Sequence, residues 1–312
     1  MADWRNQTCT SDFILLGFSE GRVMLSVLLV IMYTMILMGN FAIFSIIRVD
    51  CHLQTPMYFF LSYLSVLDIC YSTVTLPAML FNCITDNRRI SFRRCFTQLY
   101  FFVSLGGSEC LLLAAMAYDR YVAICNPLRY PIIMNKKLCS QLVAGSWFSG
   151  FLNSVLHTSM TSRLTFCEAR SVNHFFCDVP PLLKAACADT HTSQLLLYIV
   201  SVFLGMTPFV FVVISYIRII SSILKIRSTA GRRKAFSTCS SHLIVVTVFY
   251  VTANFNYIGP APGESFDIER LSTMLYSVLT PLFNPVIYCF RNKEVKKALK
   301  RILCWNPVPI EV

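Results

Sequence analysis

Charge is what this chain has little of: Asp, Glu, Lys and Arg make up 14% of its 312 residues, against about a quarter in an ordinary globular protein. The shortage is uneven. No charged residue lies between Arg22 and Arg48, between Lys137 and Arg163, or between Lys234 and Glu264, and His191 to Arg218 and Arg270 to Arg291 enclose two more such stretches. A helix of about 20 predominantly apolar residues crosses the hydrocarbon core of a bilayer, and each stretch is long enough. Hydrophobic residues reach 55% and aromatic residues 13%, more apolar surface than a soluble core of this size can use. Catalytic signatures are missing too. The chain has no His-Glu-x-x-His, no P-loop and no Gly-x-Ser-x-Gly, and its five histidines are dispersed. No enzyme activity is expected, and no cofactor beyond a structural ion considered below. Inverted repeats and paired broken helices, the marks of many transporters, are absent as well.

What is present completes a membrane architecture. Two further apolar runs, near 57–81 and 96–117, each carry a single acid, Asp68 and Glu109. The expected fold is an all-α membrane protein, a seven-transmembrane helix bundle over 23–290. Residues 1–22 precede it as an extracellular N-terminus, and 291–312 follow as a cytoplasmic tail. Loops assigned alternately to two sides place 17 of the 27 Lys and Arg on the side of the 48–56, 120–137 and 218–234 loops and the tail, which should be cytoplasmic. The net charge of +11 is therefore mainly a topology signal, and no compact basic domain exists to bind nucleic acid. Asn6-Gln7-Thr8 is a glycosylation acceptor on the outer side. The first apolar run is too long for a cleaved signal core of about 7–15 residues, so the first helix is expected to act as an uncleaved anchor.

Cys95, Cys167, Cys177 and Cys187 fall in or beside outer loops, where oxidation is expected. Four cysteines allow three pairings, and spacing does not choose among them. Beyond the last span, Val295, Leu299, Ile302 and Leu303 share one helix face, with Lys296, Lys297, Lys300 and Arg301 opposite. That pattern describes an amphipathic helix lying on the inner leaflet, with Cys304 at its end a candidate for palmitoylation.

Five segments carry a resemblance. Met116-Ala117-Tyr118-Asp119-Arg120-Tyr121-Val122-Ala123-Ile124-Cys125 closes the third span. Pro56-Met57-Tyr58-Phe59-Phe60-Leu61 enters the second, and Ser215-Tyr216 closes the fifth. Lys234-Ala235-Phe236-Ser237-Thr238-Cys239, continuing to Ser241-His242-Leu243, enters the sixth. Asn284-Pro285-Val286-Ile287-Tyr288 ends the seventh, before Arg291-Asn292-Lys293-Glu294-Val295. In this order and on these spans, they resemble the olfactory receptors of the rhodopsin-like G-protein-coupled family over nearly the whole chain.

The resemblance implies a plasma-membrane receptor that binds a small-molecule odorant within the bundle. It implies activation of a stimulatory, olfactory-type G protein that raises cyclic AMP. Asp119, Arg120, Tyr121, Tyr216, His242, Asn284, Pro285 and Tyr288 would form the switch facing that partner. Arg120 would be paired to Asp119 at rest, and Asn284 would satisfy a backbone group freed by Pro285. Asp68 and Glu109 would surround a sodium ion. Cys95 would pair with Cys177, and Cys167 with Cys187. Helical spacing aligns Tyr250, Ala253, Asn254 and Tyr257 on the sixth span, and Phe102, Val103, Gly106 and Gly107 on the third, as ligand walls. Ser201, Leu204 and Gly205 of the fifth span and Met274, Ser277 and Val278 of the seventh complete them by resemblance. None of these residues is charged, so a small, neutral, mainly hydrophobic ligand with one hydrogen-bonding group is expected. The chain departs from the family at Val251, where glycine is common, and at Asn254, Asn256 and Gly259, so ligand preference is the property that transfers least.

Overall fold

The computed structural model describes residues 12–15, 22–85, 89–166, 171–172, 174–187, 191–258, 274, 277–287 and 293–303. Among the described residues seven helices build the bundle: α1 (Arg22–Val49), α2 (Pro56–Ile84), α3 (Phe92–Cys125), α5 (Lys136–Ser162), α7 (His191–Leu224), α8 (Thr229–Ile258) and α9 (Ser277–Ile287). Short helices α4 (Tyr130–Ile133) and α6 (Val179–Lys184) lie in connections, and α10 (Lys293–Leu303) follows the last span. Among the described residues, α1, α2, α3 and the Gly205–Leu224 part of α7 are each long and apolar enough to cross a membrane. The outer faces of the bundle helices fit lipid: Met24, Met38 and Phe41 of α1, Phe148 of α5 and Phe203 of α7 are exposed.

Local chemistry marks the helix ends. Thr55 precedes Pro56 at the first turn of α2, where a missing N–H costs nothing. Ser91 and Asn135 cap α3 and α5 by accepting the backbone N–H groups of Arg94 and Leu138. Asp50 caps the 3-10 turn η1 (Cys51–Leu53) between α1 and α2.

Helix α3 is the axis of the bundle, packing against α2, α5, α7 and α8. Its closest crossing is with α5 at Gly150, where an added Cβ would sit 2.5 Å from the Ser104 carbonyl oxygen and 2.7 Å from the Ser108 nitrogen. Small residues permit that approach, as is usual between membrane helices.

One end is closed by a small sheet that no run of alternating residues in the sequence announces. Strands β1 (Asp12–Leu15), β2 (Arg89–Ser91) and β3 (Ser171–Val172) form a sheet in the order β2-β1-β3, β1 running antiparallel to β2 and parallel to β3. The burial of β1 alternates, with Phe13 and Leu15 inward and Ile14 outward, as a half-buried strand requires. Phe13 packs against Phe92, Phe96 and Phe166. The N-terminal segment is thus part of the fold and straps two loops together.

Candidate functional site

At the end of the bundle where α3 stops, Arg120 is buried against its neighbour in sequence. Its Nε donates to Asp119 Oδ2 at 2.8 Å, and its Nη2 donates to the same oxygen. The other oxygen, Oδ1, accepts the Tyr130 hydroxyl at 2.8 Å from α4. Burial and then the Asp119 carboxylate push the Tyr130 phenol pKa up, so it remains a donor at neutral pH. Across the same end, the Tyr216 hydroxyl of α7 and His242 Nδ1 of α8 lie 2.5 Å apart with their rings stacked. Among the described residues, one pairing at this end joins α3 to α4 and another joins α7 to α8.

Midway along the bundle, Asp68 and Glu109 are both buried and act on one another electrostatically. The Asn284 amide donates to both Asp68 oxygens, at 3.1 and 2.9 Å. This differs from the expectation that Asn284 serves the backbone freed by Pro285. That role falls to Asn40 of α1, whose Nδ2 donates to the Pro281 carbonyl at 3.0 Å and to Ile36 at 3.1 Å. Pro281 lies four residues before Pro285, so its carbonyl is the one that loses a helical donor. The Pro285 ring rests against Gly39, where an added Cβ would lie 2.9 Å from it. Gly39-Asn40 of α1 is therefore the seat for the α9 proline. Glu109 Oε1 has no hydrogen-bond partner among the described residues.

Above the carboxylates, Tyr250 of α8 is buried, and its hydroxyl lies 3.2 Å from Cys110 Sγ, joining α8 to α3. Phe102 is buried between Tyr71 of α2 and Phe176 of the long loop. Val103, Ala253 and Met274 pack partly buried against the same core, and Val278 and Ser277 are buried on α9. Gly205 has open space where a side chain would stand. Gly107 instead faces Gly150, with the Asn153 amide near it, so the room beside it is taken up by α5. Gly106 is partly buried one residue before it. Cys95 and Cys177 form a disulfide that fastens the loop to the start of α3.

The comparisons with known proteins agree with this architecture. The family model described as olfactory receptor matches residues 29–306. The chain belongs to the olfactory receptor family. It is 47% identical to olfactory receptor 5AP2 of Mus musculus, over 96% of this chain and 95% of that one. Identity to olfactory receptor 8H1 of Homo sapiens is 46%, covering 96% and 97%, and to olfactory receptor 10A7 of Homo sapiens 48%, covering 96% and 95%. As a member of that family the receptor is a multi-pass membrane protein that couples odorant binding to a G protein. It is a receptor, not an enzyme.

Several residues that shape the receptor's site were not singled out from sequence. Phe175 and Phe176 leave the loop and enter the main core, and Asn82 donates to the Phe175 carbonyl at 3.0 Å. Gln98 accepts the Cys177 N–H at 3.1 Å and donates to the Val74 carbonyl at 2.9 Å, holding the disulfide against α2. The run Phe175-Phe176-Cys177 is the one sequence signal available: two large apolar residues in a loop, anchored by an oxidised cysteine.

Cys187 is also disulfide-bonded, to a cysteine outside the described residues. Thr165 accepts the Cys187 N–H at 2.9 Å, and Phe166 bridges Ala186. Cys167, Asn6 and Tyr288 lie outside the described residues. The side chains of Ser201, Leu204, Asn254 and Tyr257 do too, although their backbones belong to α7 and α8. Tyr121 is partly buried one residue beyond Arg120.

Proposed function

We propose that this receptor binds a small, neutral, mainly hydrophobic odorant between α3, α7, α8 and α9, and that it activates a stimulatory, olfactory-type G protein to raise cyclic AMP. The observation that carries the signalling half is the buried cluster of Asp119, Arg120 and Tyr130. A guanidinium buried beside a single carboxylate is costly to leave unpaired. It can be released only where another partner replaces Asp119, which suits a switch that presents Arg120 to an intracellular protein. The N-terminus then lies outside the cell, the domain limits are 1–22, 23–290 and 291–312, and the inner end borders the lipid leaflet. Support for a neutral ligand comes from Phe102, Val103, Ala253, Met274 and Val278, apolar groups against which an ionised ligand would find no counter-charge.

Asp68, Glu109 and Asn284 suit a sodium ion. The donors are hard oxygens, and Glu109 Oε1, buried with no hydrogen-bond partner among the described residues, would be one of them. By the family resemblance Cys187 pairs with Cys167, and the Phe166–Ala186 bridge beside Cys187 supports that reading.

The test is a panel of neutral volatile alcohols, ketones, aldehydes and esters on cells expressing the receptor, with cyclic AMP as readout. Responses are expected from part of the panel, and Arg120→Ala should remove them at unchanged surface expression. A full response from Arg120→Ala, or a preference for permanently charged agonists, overturns the reading.

A further inference from the structure

We propose that Asp50, Cys51 and His52 form a binding site for a zinc-like divalent metal ion where α1, η1 and α10 meet. Three consecutive residues offer three different ligand atoms. Asp50 Oδ1 lies 2.9 Å from His52 Nδ1, Cys51 Sγ lies 3.5 Å from the same nitrogen, and all three atoms fall within 4.8 Å of one another. They converge because Asp50 caps the 3-10 turn, accepting the His52 N–H at 2.9 Å and drawing the imidazole back over the carboxylate. Cys51 precedes that ring on the exposed side.

Two of the three separations are near the edges of a zinc tetrahedron, and the third, between sulfur and carboxylate, lies within 4.8 Å and closes as both ligands turn to the ion. Zinc bonds of about 2.3 Å to sulfur, 2.0–2.1 Å to nitrogen and 2.0–2.2 Å to oxygen give edges of about 3.5 Å between S and N and about 3.4 Å between N and O. The first edge is already present. The second needs an opening of about half an ångström, which follows when the hydrogen bond between Nδ1 and Oδ1 gives way to two bonds to the ion. The proton of that nitrogen moves to Nε2, the thiol proton leaves to solvent, and water fills the fourth position. Mixed N, O and S donors select zinc or a similar transition ion over magnesium or calcium, which take oxygen alone.

The carboxylate is held for this role by the far end of the chain. Its second oxygen, Oδ2, accepts Arg301 Nη2 at 2.6 Å and Nε at 3.0 Å from α10, so the arginine does not compete for Oδ1, the oxygen already turned to His52. Such outer partners orient metal ligands and are worth about 10–100-fold in affinity. The site is open on one side: the His52 side chain is 67% exposed, whereas that of Asp50 is 6% exposed. Helix capping and the Asp50–Arg301 pair account for Asp50 and His52 without a metal, but they give the Cys51 thiol no part. A bound ion would tie η1 to α10 through Asp50 and hold the helix that follows the last span.

The experiment uses the full-length receptor in lipid nanodiscs, titrated with Co²⁺ and then Zn²⁺. A thiolate-to-cobalt charge-transfer band with tetrahedral d–d bands is expected, and Zn²⁺ should displace it. Cys51→Ser should abolish the charge-transfer band while leaving metal-free thermal unfolding unchanged. His52→Gln should weaken affinity by at least about tenfold, and Arg301→Gln by about 10–100-fold with the band retained. Zinc should also slow hydrogen exchange in residues 293–303 of the wild type only. No band in the wild type, or an undiminished band in Cys51→Ser, overturns the site. Unchanged affinity in Arg301→Gln overturns the tie to α10.

Discussion

Replacing Gly150 by alanine tests the α3–α5 crossing on which the bundle's axis depends. The new Cβ would stand 2.5 Å from the Ser104 carbonyl oxygen and 2.7 Å from the Ser108 nitrogen, and closer still to Ser108 Oγ. The hydroxyl can rotate away, but the two backbone atoms cannot. Restoring ordinary contact means moving α5 out by a little under about 1 Å, which costs about 1–3 kcal/mol in a packed interior. The same movement stretches the bond from Ser154 Oγ to the Tyr100 carbonyl, now 2.5 Å, for up to about another 1 kcal/mol. Alanine returns about 1 kcal/mol through its better helix propensity, leaving a net loss of up to about 3 kcal/mol.

Gly145 on the same helix is the internal control, since a Cβ there meets nothing within 4 Å. Gly145→Ala should be neutral or stabilise by up to about 1 kcal/mol. Both variants can be melted in detergent at one scan rate, with a thiol-reactive dye reporting exposure of the buried Cys110, Cys139 and Cys239. At about 2–4 °C per kcal/mol for a chain of this size, Gly150→Ala should melt several degrees below Gly145→Ala. If Gly150→Ala melts at or above Gly145→Ala, the close crossing is wrong.

Two further outcomes follow from the same geometry. Asn40→Leu removes both amide bonds and leaves the Pro281 carbonyl, freed by Pro285, without its donor. The variant should lose about 1–3 kcal/mol, read as a lower melting temperature, and an unchanged value would show that another group serves that carbonyl. Burial alone would raise the Asp50 pKa, but hydrogen bonds from Arg301 and His52 outweigh it and hold the carboxyl at about 2, below its ordinary 3.8. A depressed carboxylate stabilises the fold above its unfolded pKa and loses that contribution as pH falls through the folded one. The tie between η1 and α10 should therefore be constant down to about pH 4 and be lost towards pH 2. Spin-label distances between positions 54 and 297 check this, and a change between pH 7 and pH 5 would contradict the assignment.

Partition between water and lipid is a sum over neighbouring residues, so it can be read along the chain without knowing the fold. The charge-free stretches 23–47 and 138–162 became α1 and α5, and the oxidised cysteines fell where the outer loops were placed. The five motifs likewise lie on consecutive residues, and their order alone marked the family. Partner choice is another kind of property, decided by which faces meet across large separations in sequence. Asn40 answers a carbonyl 241 residues away, and Arg301 grips Asp50 across 251. Gly107 has the composition of a pocket wall, yet Gly150 fills the space beside it. Phe13-Ile14-Leu15 is too short a run to count as a strand until β2 and β3 supply its hydrogen bonds. In each case a backbone or carboxylate group had several chemically adequate partners, and only the packing of the bundle selected one.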